Sequence, residues 1–329
     1  MRTYDVITVG SATRDVFMRS RAFDAHKDGP AGLECCFPLG AKIEIEEIAL
    51  ETGGGGTNAA ATFGRLGHRT ATVTAIGDDA SARDIMSALK ENGVSDAFVQ
   101  RYPKKMTAYS VIILTGSGER IVLVHRGVSD DISMRRLPWS RAKTRWFYLT
   151  SLGGDLKLVR RLLDHAAGIG ARVAWNPGSK EIRKGLKRLG PLIRQVDVFN
   201  LNREEAADLT GVDATDIKKI FRVLNGLPRR YLVVTDGRKG AYASGPEGAW
   251  RSGIVDVPRV NVTGAGDAFG SGMVAGLLRR DELPYALAVG TWNATGVVQE
   301  TGAKRGLLRT YPGPAKIKRI PLKPWRYER

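Results

Sequence analysis

Val260-Asn261-Val262-Thr263-Gly264-Ala265-Gly266-Asp267-Ala268-Phe269-Gly270 is the stretch whose reading decides the fold. A short β-branched run enters a turn of small residues. An acid follows, then an apolar segment that keeps helical spacing to Leu278. Gly264 and Gly266 permit backbone conformations and close approaches that a side chain blocks. A helix starting there leaves its first N–H groups unpaired and aims its positive dipole end at the turn, which makes an anion site. Asp267 falls in the first turn, beside that anion. A carboxylate there repels a phosphate unless it has a task, and taking the proton of an attacking hydroxyl is such a task. The alternative is a plain helix start whose acid complements the dipole.

Outward from this turn, the chain alternates strands and helices. Tyr4–Gly10 reads as a first buried strand, with Asp15 in the loop beyond it. Residues 17–52 leave the βα pattern, and Ile43 and Ile45 alternate with charged neighbours as in a half-exposed antiparallel strand. Gly53–Gly56 leads into an alanine-rich helix, 57–66. A strand at 70–76 stops at Gly77-Asp78-Asp79 before a helix over 80–92. Thr107–Leu114 and Arg120–Val124 read as a hairpin across residues 115–119 that pairs with residues 40–50. From Trp146 the alternation is regular: strands 146–150, 172–175, 196–200 and 231–235, with helices 155–167, 179–189, 202–209 and 215–225. Short antiparallel strands within 242–257 precede the organising turn, and helices 265–279 and 284–299 follow it. This order predicts a doubly wound, mostly parallel α/β sheet flanked by helices, with a small β-strand lid. Sites then lie beyond the carboxyl ends of the strands. The basic, proline-bearing tail 311–329 reads as loosely held beside a 1–310 domain.

Length and composition narrow the function. A chain of 329 residues can bury a large α/β core, and 39 glycines suit many tight turns. No apolar run approaches a membrane span, and Met1–Asp5 does not read as a signal peptide. The only cysteines are the neighbours Cys35 and Cys36, so no disulfide framework is expected and a cytoplasmic setting is the default. The net charge of +17 raises the prospect of a polyanion partner. The excess is diffuse and carries no nucleic-acid motif, so neither specific nucleic acid nor membrane is expected. A Walker A loop, protein-kinase signatures and zinc spacing are all missing from the sequence.

One rival fingerprint is Gly54-x-Gly56-x-x-Ala59 with Asp78 further on, the pattern of an NAD(P)-dependent oxidoreductase. The residues before it, 44–51, alternate charged and apolar side chains, whereas a central parallel strand feeding that turn should be wholly apolar. A different set of motifs runs in order along the chain. Gly53-Gly54-x-x-x-Asn58-Ala59, ending in Leu66-Gly67, resembles the first signature of the PfkB/ribokinase family of carbohydrate and nucleoside kinases. Thr263–Phe269 is similar to its second signature. Asn202-Arg203-Glu204-Glu205 and Thr235–Gly240 resemble its Asn-x-x-Glu motif and nucleotide loop. The likeness covers Val6 to about Ala303.

The resemblance implies transfer of the γ-phosphate of ATP, with Mg²⁺, to a primary hydroxyl of a small sugar or a nucleoside. It implies a lid formed by parts of 16–52 and 105–127, and a homodimer through that lid is a further expectation. By the same likeness Asp267 is the catalytic base, and Gly264, Ala265 and Gly266 form the anion hole. Asp15, Gly53, Gly54 and Asn58 face the acceptor. Asn202, Thr235, Gly237 and Gly240 serve ATP, and Glu205 holds magnesium through water. Three positions depart from the family. Asn261 stands where many members have an aspartate that helps bind a monovalent cation, which leaves potassium dependence open. Ala82 replaces a glycine after the Gly-Asp-Asp corner. The adenine-side asparagine falls on Thr291, with Asn293 two residues on. For the acceptor, the lid aromatics Phe17, Phe23, Phe37 and Tyr109 offer stacking for a base, and Arg126 offers a partner for an acidic sugar or a phosphate.

Overall fold

The computed structural model describes residues 3–23, 26–29, 32–115 and 120–327. Among these, a ten-stranded sheet forms the spine. Its parallel part runs Val94–Arg101, Thr70–Ile76, Tyr4–Val9, Thr144–Leu149, Arg172–Trp175, Val198–Asn202 and Tyr231–Thr235. The antiparallel strands Ala241–Gly245 and Gly248–Ser252 extend it. Thr70–Ile76 is buried along its whole length, as a strand covered on both faces requires. One layer of side chains, including Val9, Phe147, Phe199 and Leu232, packs under the helices Leu156–Gly168 and Ile217–Leu224. The opposite layer, including Tyr148, Val198 and Val233, packs under Ala265–Arg279 and Leu283–Val297. No helix among the described residues is long and apolar enough to cross a membrane.

A second sheet of four strands stands apart, in the order Glu47–Gly53, Thr13–Arg19, Ala108–Leu114, Arg120–His125. Several expectations change here. Asp15 lies within the strand Thr13–Arg19 rather than in a loop. Residues 41–45 are not a strand; the pairing starts at Glu47. The hairpin strand 108–114 pairs with Thr13–Arg19, which separates it from 47–53. Residues 116–119 of its turn lie outside the described residues.

The lid is tied to the core at Asp79, the N-cap of the helix Ala80–Glu91. Its Oδ1 accepts from the Ala82 amide at 2.8 Å, and its Oδ2 accepts from the Thr107 amide at 2.8 Å. Ala82 is buried against Ile76 and Ile85, so the missing glycine is filled by core contact. The helix expected over 179–189 is split into Ser179–Ile182 and Leu186–Ile193 around Gly185, whose φ is +80°. The tail is not loose. Leu322–Pro324 joins the main sheet beside Gly248–Ser252, and the Trp325 ring packs on Phe221 and Tyr242 with centroids 4.8 Å away in each case.

Candidate active site

The organising turn makes the helix Ala265–Arg279 begin across a cavity from the end of the strand Tyr231–Thr235. Gly264 takes φ +81°, and a Cβ on it would come within 2.3 Å of the Ala303 Cβ, so conformation and space both demand glycine. Gly266 is different: a Cβ there meets nothing within 4 Å. Its surroundings are a cavity of about 160 Å³ that Ala265 and Gly266 share with Thr235, Gly237 and Gly240. Two motifs lying some thirty residues apart in sequence are thereby brought to one cleft. Val255, Val262 and Phe269 give it apolar walls, and Arg259 adds a positive charge. Gly240, at φ +92°, lies so close to the Ser252 carbonyl that a Cβ would stand 1.9 Å from its oxygen.

Thr291 lines this cavity; Asn293 does not. The Asn293 side chain is fully buried, donating to the Ala268 carbonyl at 2.7 Å and to Thr62 Oγ1 at 3.1 Å. Its Oδ1 accepts from the Leu308 amide at 2.9 Å. Asn293 therefore joins the helices Gly55–Arg65, Ala265–Arg279 and Leu283–Val297, and has no donor left for a base.

Asn202 and Glu205 close a reciprocal cap. Asn202 Oδ1 accepts from the Glu205 amide at 2.7 Å, and Glu205 Oε2 accepts from the Asn202 amide at 2.9 Å. Asn202 is the parallel partner of Thr235, which puts this cap at the edge of the 235–240 loop. Partial burial pushes the Glu205 carboxyl above its ordinary value. The Asn202 amide opposes that shift, and the negative charge of Asp267 adds to it.

The other half of the cleft lies under the lid. Asp15 is 7 % exposed, and Thr13 Oγ1 donates to its Oδ1 at 2.9 Å. Burial raises the Asp15 carboxyl above its ordinary value against the pull of Thr13 and Lys304. A Cβ on Gly53 would fall 1.8 Å from Asp15 Oδ2 and would displace that carboxylate. Gly54, at φ +92°, passes the backbone of Ser11 so closely that a Cβ would stand 2.5 Å from its carbonyl oxygen. The helix Gly55–Arg65 then starts with Gly56 against Gly10 and presents Asn58, whose Nδ2 donates to Asp267 Oδ2 at 2.9 Å. This explains Gly54-x-Gly56-x-x-Ala59. The strand before it is the edge of the small sheet, antiparallel to 13–19, so the dinucleotide fingerprint lacks its central parallel strand.

Asp267 is where the two halves meet. It is half-buried, and desolvation raises its carboxyl. The Asn58 bond and the Lys304 charge counter that rise, while Asp15 reinforces it. A carboxylate moved upward in this way accepts protons more readily. Lys304 was not singled out in the sequence, where Ala303-Lys304-Arg305 reads as an ordinary basic step. Its Nζ donates to the Thr52 carbonyl at 2.6 Å and to Asn58 Oδ1 at 2.7 Å.

The lid aromatics fit stacking poorly. Phe17 is 2 % exposed, Phe23 packs edge-on against Phe37, and Tyr109 pairs with Arg14 on the face opposite Asp15. Arg126 is exposed beyond the last lid strand. Among the described residues no group of three or more His, Cys, Asp or Glu side chains gathers as a metal cage.

A doubly wound sheet, a helix start opening on a cavity and a polar cleft beneath a small sheet form the scaffold of a small-molecule site. The chain belongs to the pfkB family of carbohydrate kinases, whose family model matches residues 6–310. It is similar to ribokinase of Haemophilus influenzae, 26% identical over 276 residues that cover 82% of this chain and 88% of that protein. It is similar also to aminoimidazole riboside kinase of Salmonella typhimurium, 26% identical over 282 residues, covering 80% and 86%. The structure of Arabidopsis thaliana ribokinase complexed with ribose and ATP matches with a TM-score of 0.77 at 19% identity, over 96% of this chain and 98% of that one. That likeness shows the fold.

Proposed function

We propose that this kinase moves the γ-phosphate of ATP to a primary hydroxyl of a small sugar or a nucleoside, with Asp267 as the general base. The observation that carries this reading is the place of Asp267 between the two halves of the cleft. On one side are Ala265 and Gly266 and the cavity they share with Thr235, Gly237 and Gly240. On the other are Asn58 and Asp15.

In this reading Asp15, with Gly53 packed close against its carboxylate, holds two hydroxyls of the acceptor, and Gly54 faces the same molecule. The hydroxyl to be phosphorylated faces Asp267. The oxygen–hydrogen bond breaks toward the Asp267 carboxylate as the acceptor oxygen attacks phosphorus, and ADP leaves. The amides of Gly264 and Gly266, joined by that of Ala265 when it turns from the Val262 carbonyl it meets at 3.2 Å, hold the charge that builds on the transferred group. The apolar walls of the cavity suit an adenine ring, with Thr291 beside it. When bound, Mg²⁺ would neutralise phosphate oxygens. In this reading Glu205 would hold it through water, using the oxygen that does not accept from the Asn202 amide, since magnesium needs few protein ligands.

The burial of Phe17 and Phe23 removes two stacking partners for a base, which favours a free sugar over a nucleoside without excluding stacking by Phe37. Dimerisation through the lid stays part of this proposal. Ile48, Leu50 and Leu123 stand exposed on the face opposite Asp15, and light scattering on Leu50→Lys tests it. The deciding experiment is a coupled ADP-release screen over pentoses, hexoses, keto-deoxy sugar acids and nucleosides. We expect turnover with at least one of them that depends on Mg-ATP. Silence across the panel together with NADH binding would overturn the reading.

A further inference from the structure

Lys304 is 6 % exposed and sits on the acceptor side of the cleft, yet among the described residues it belongs to no ion pair. An ammonium buried without a carboxylate contact is expensive, and a methionine of similar length would cost the fold less. The two protons it does share go to a backbone carbonyl and to the side-chain oxygen of Asn58. That second bond has a consequence for Asp267. An ammonium can only donate and an ionised carboxylate can only accept. The Asn58 amide, set between them, is therefore locked with its oxygen toward Lys304 and its NH₂ toward Asp267 Oδ2. With Oδ2 taken up by that NH₂, Oδ1 of Asp267 is the oxygen left for the acceptor hydroxyl.

We propose that Lys304 is a positioning residue of the phosphoryl-transfer site: through Asn58 it fixes which oxygen of Asp267 meets the acceptor, and its charge keeps that half-buried base ionised. The inference rests on Asp267 being the base. Its surroundings are built for the purpose. Arg65, at the end of the Gly55–Arg65 helix, donates to the Lys304 carbonyl and anchors the backbone. The charged groups that Lys304 feels come from every neighbouring element: Asp15 and Glu51 from the lid strands, Asp267 from the helix beneath, and Arg65 opposing them. Glu51 is itself held by Arg305 at 2.6 Å, which leaves Asp15 and Asp267 as the carboxylates Lys304 serves. Burial brings the Lys304 ammonium down to about 8, so its charge is present at neutral pH and is lost on the alkaline side.

The test compares Lys304→Met and Lys304→Gln with the parent, using whichever acceptor the screen identifies. We expect folded variants with KM for Mg-ATP within about twofold of the parent and kcat lower by ~10–100-fold, the lower part of what losing a well-placed general base costs. The acid limb of kcat/KM should move upward, because Asp267 has lost its cation. The alkaline limb near 8 in the parent should disappear. A loss of activity with both limbs unmoved, or a change confined to acceptor KM, overturns the proposal. A second measurement does not depend on turnover or on either variant folding. In protein labelled at lysine ¹³Cε, one resonance should titrate near 8, and its midpoint should fall in Asp267→Asn, where a stabilising carboxylate is gone. Lysines that all titrate at the ordinary value overturn the assignment even if the kinase reading stands.

Discussion

Replacing Gly264 and Gly266 one at a time by alanine separates what the fold needs from what the ligand needs. In Gly264→Ala the new side chain must adopt φ +81°, which costs an L-residue ~1–2 kcal/mol. It must also displace Ala303, whose Cβ lies only 2.3 Å from the added methyl, and overpacking of this kind costs a further ~1–3 kcal/mol. The total is ~2–5 kcal/mol. From the usual unfolding entropy per residue, a chain of this length loses about 1.5 °C for each kcal/mol, so Tm should fall by about 3–7 °C. Ala303 precedes Lys304, so its movement should also disturb the base, and activity should fall beyond the loss of folded enzyme. Gly266→Ala has no such conflict, because its methyl points into open space in the cavity proposed for ATP. Alanine in a first helical turn is neutral or stabilising by up to ~1 kcal/mol. Tm should hold or rise, while KM for ATP rises because the methyl occupies room the phosphates need. Scanning fluorimetry and steady-state kinetics on both proteins decide it. A Gly264→Ala protein melting within 1 °C of the parent, or a Gly266→Ala protein that is the less stable of the two, would refute the reasoning.

Two further predictions concern groups that hold the cleft together. Asn293→Ala should leave a buried amide, carbonyl and hydroxyl without this partner and cost ~2–5 kcal/mol by urea unfolding, with KM for ATP almost unchanged. A selective rise in that KM would mean that Asn293 reaches the nucleotide after all. Asp79→Ala removes a helix cap and strands the Thr107 amide, costing ~2–4 kcal/mol. Burial alone would raise the Asp79 carboxyl, but its bonds from Thr107 and Ala82 outweigh that and hold it below its ordinary value. Its stabilisation is thus complete above about pH 4 and fades as pH falls through the folded-state value. The gap in stability between parent and Asp79→Asn should accordingly narrow below pH 4; a gap that stays constant with pH contradicts the lid tie.

The parts of the site that could be read from sequence are those where the backbone itself is constrained. Gly53, Gly54, Gly240 and Gly264 are needed for close approach or positive φ, and such needs leave glycines at fixed spacing. The parallel core could be read because strands such as Thr70–Ile76 are apolar throughout. What stayed hidden depends on long-range pairing. Thr13–Arg19 mixes Arg14, Asp15 and Arg19 with apolar residues, and only its two neighbours in the small sheet make it a central strand. Ile43 and Ile45 alternate well but find no partner strand. Leu322–Pro324 is three residues in a basic tail, placed by Trp325 finding Phe221 and Tyr242. Lys304 is the sharpest case, because nothing in Ala303-Lys304-Arg305 distinguishes a buried ammonium from a solvated one. Asn293 and Thr291 show the reverse: the residue type favoured by likeness is used up in the core, and a threonine lines the cavity.

The central claim is that Asp267 is a proton acceptor rather than a helix-starting acid, and Asp267→Asn addresses it with the smallest change of shape. Asparagine also suits a helix start, and it removes a carboxylate that burial disfavours, so the melting temperature should be unchanged or slightly higher. Measured as kcat under saturating Mg-ATP and acceptor, alongside Tm, the variant should be folded and slower by ~10²–10⁴-fold. A folded Asp267→Asn enzyme with kcat within about threefold of the parent would contradict the account.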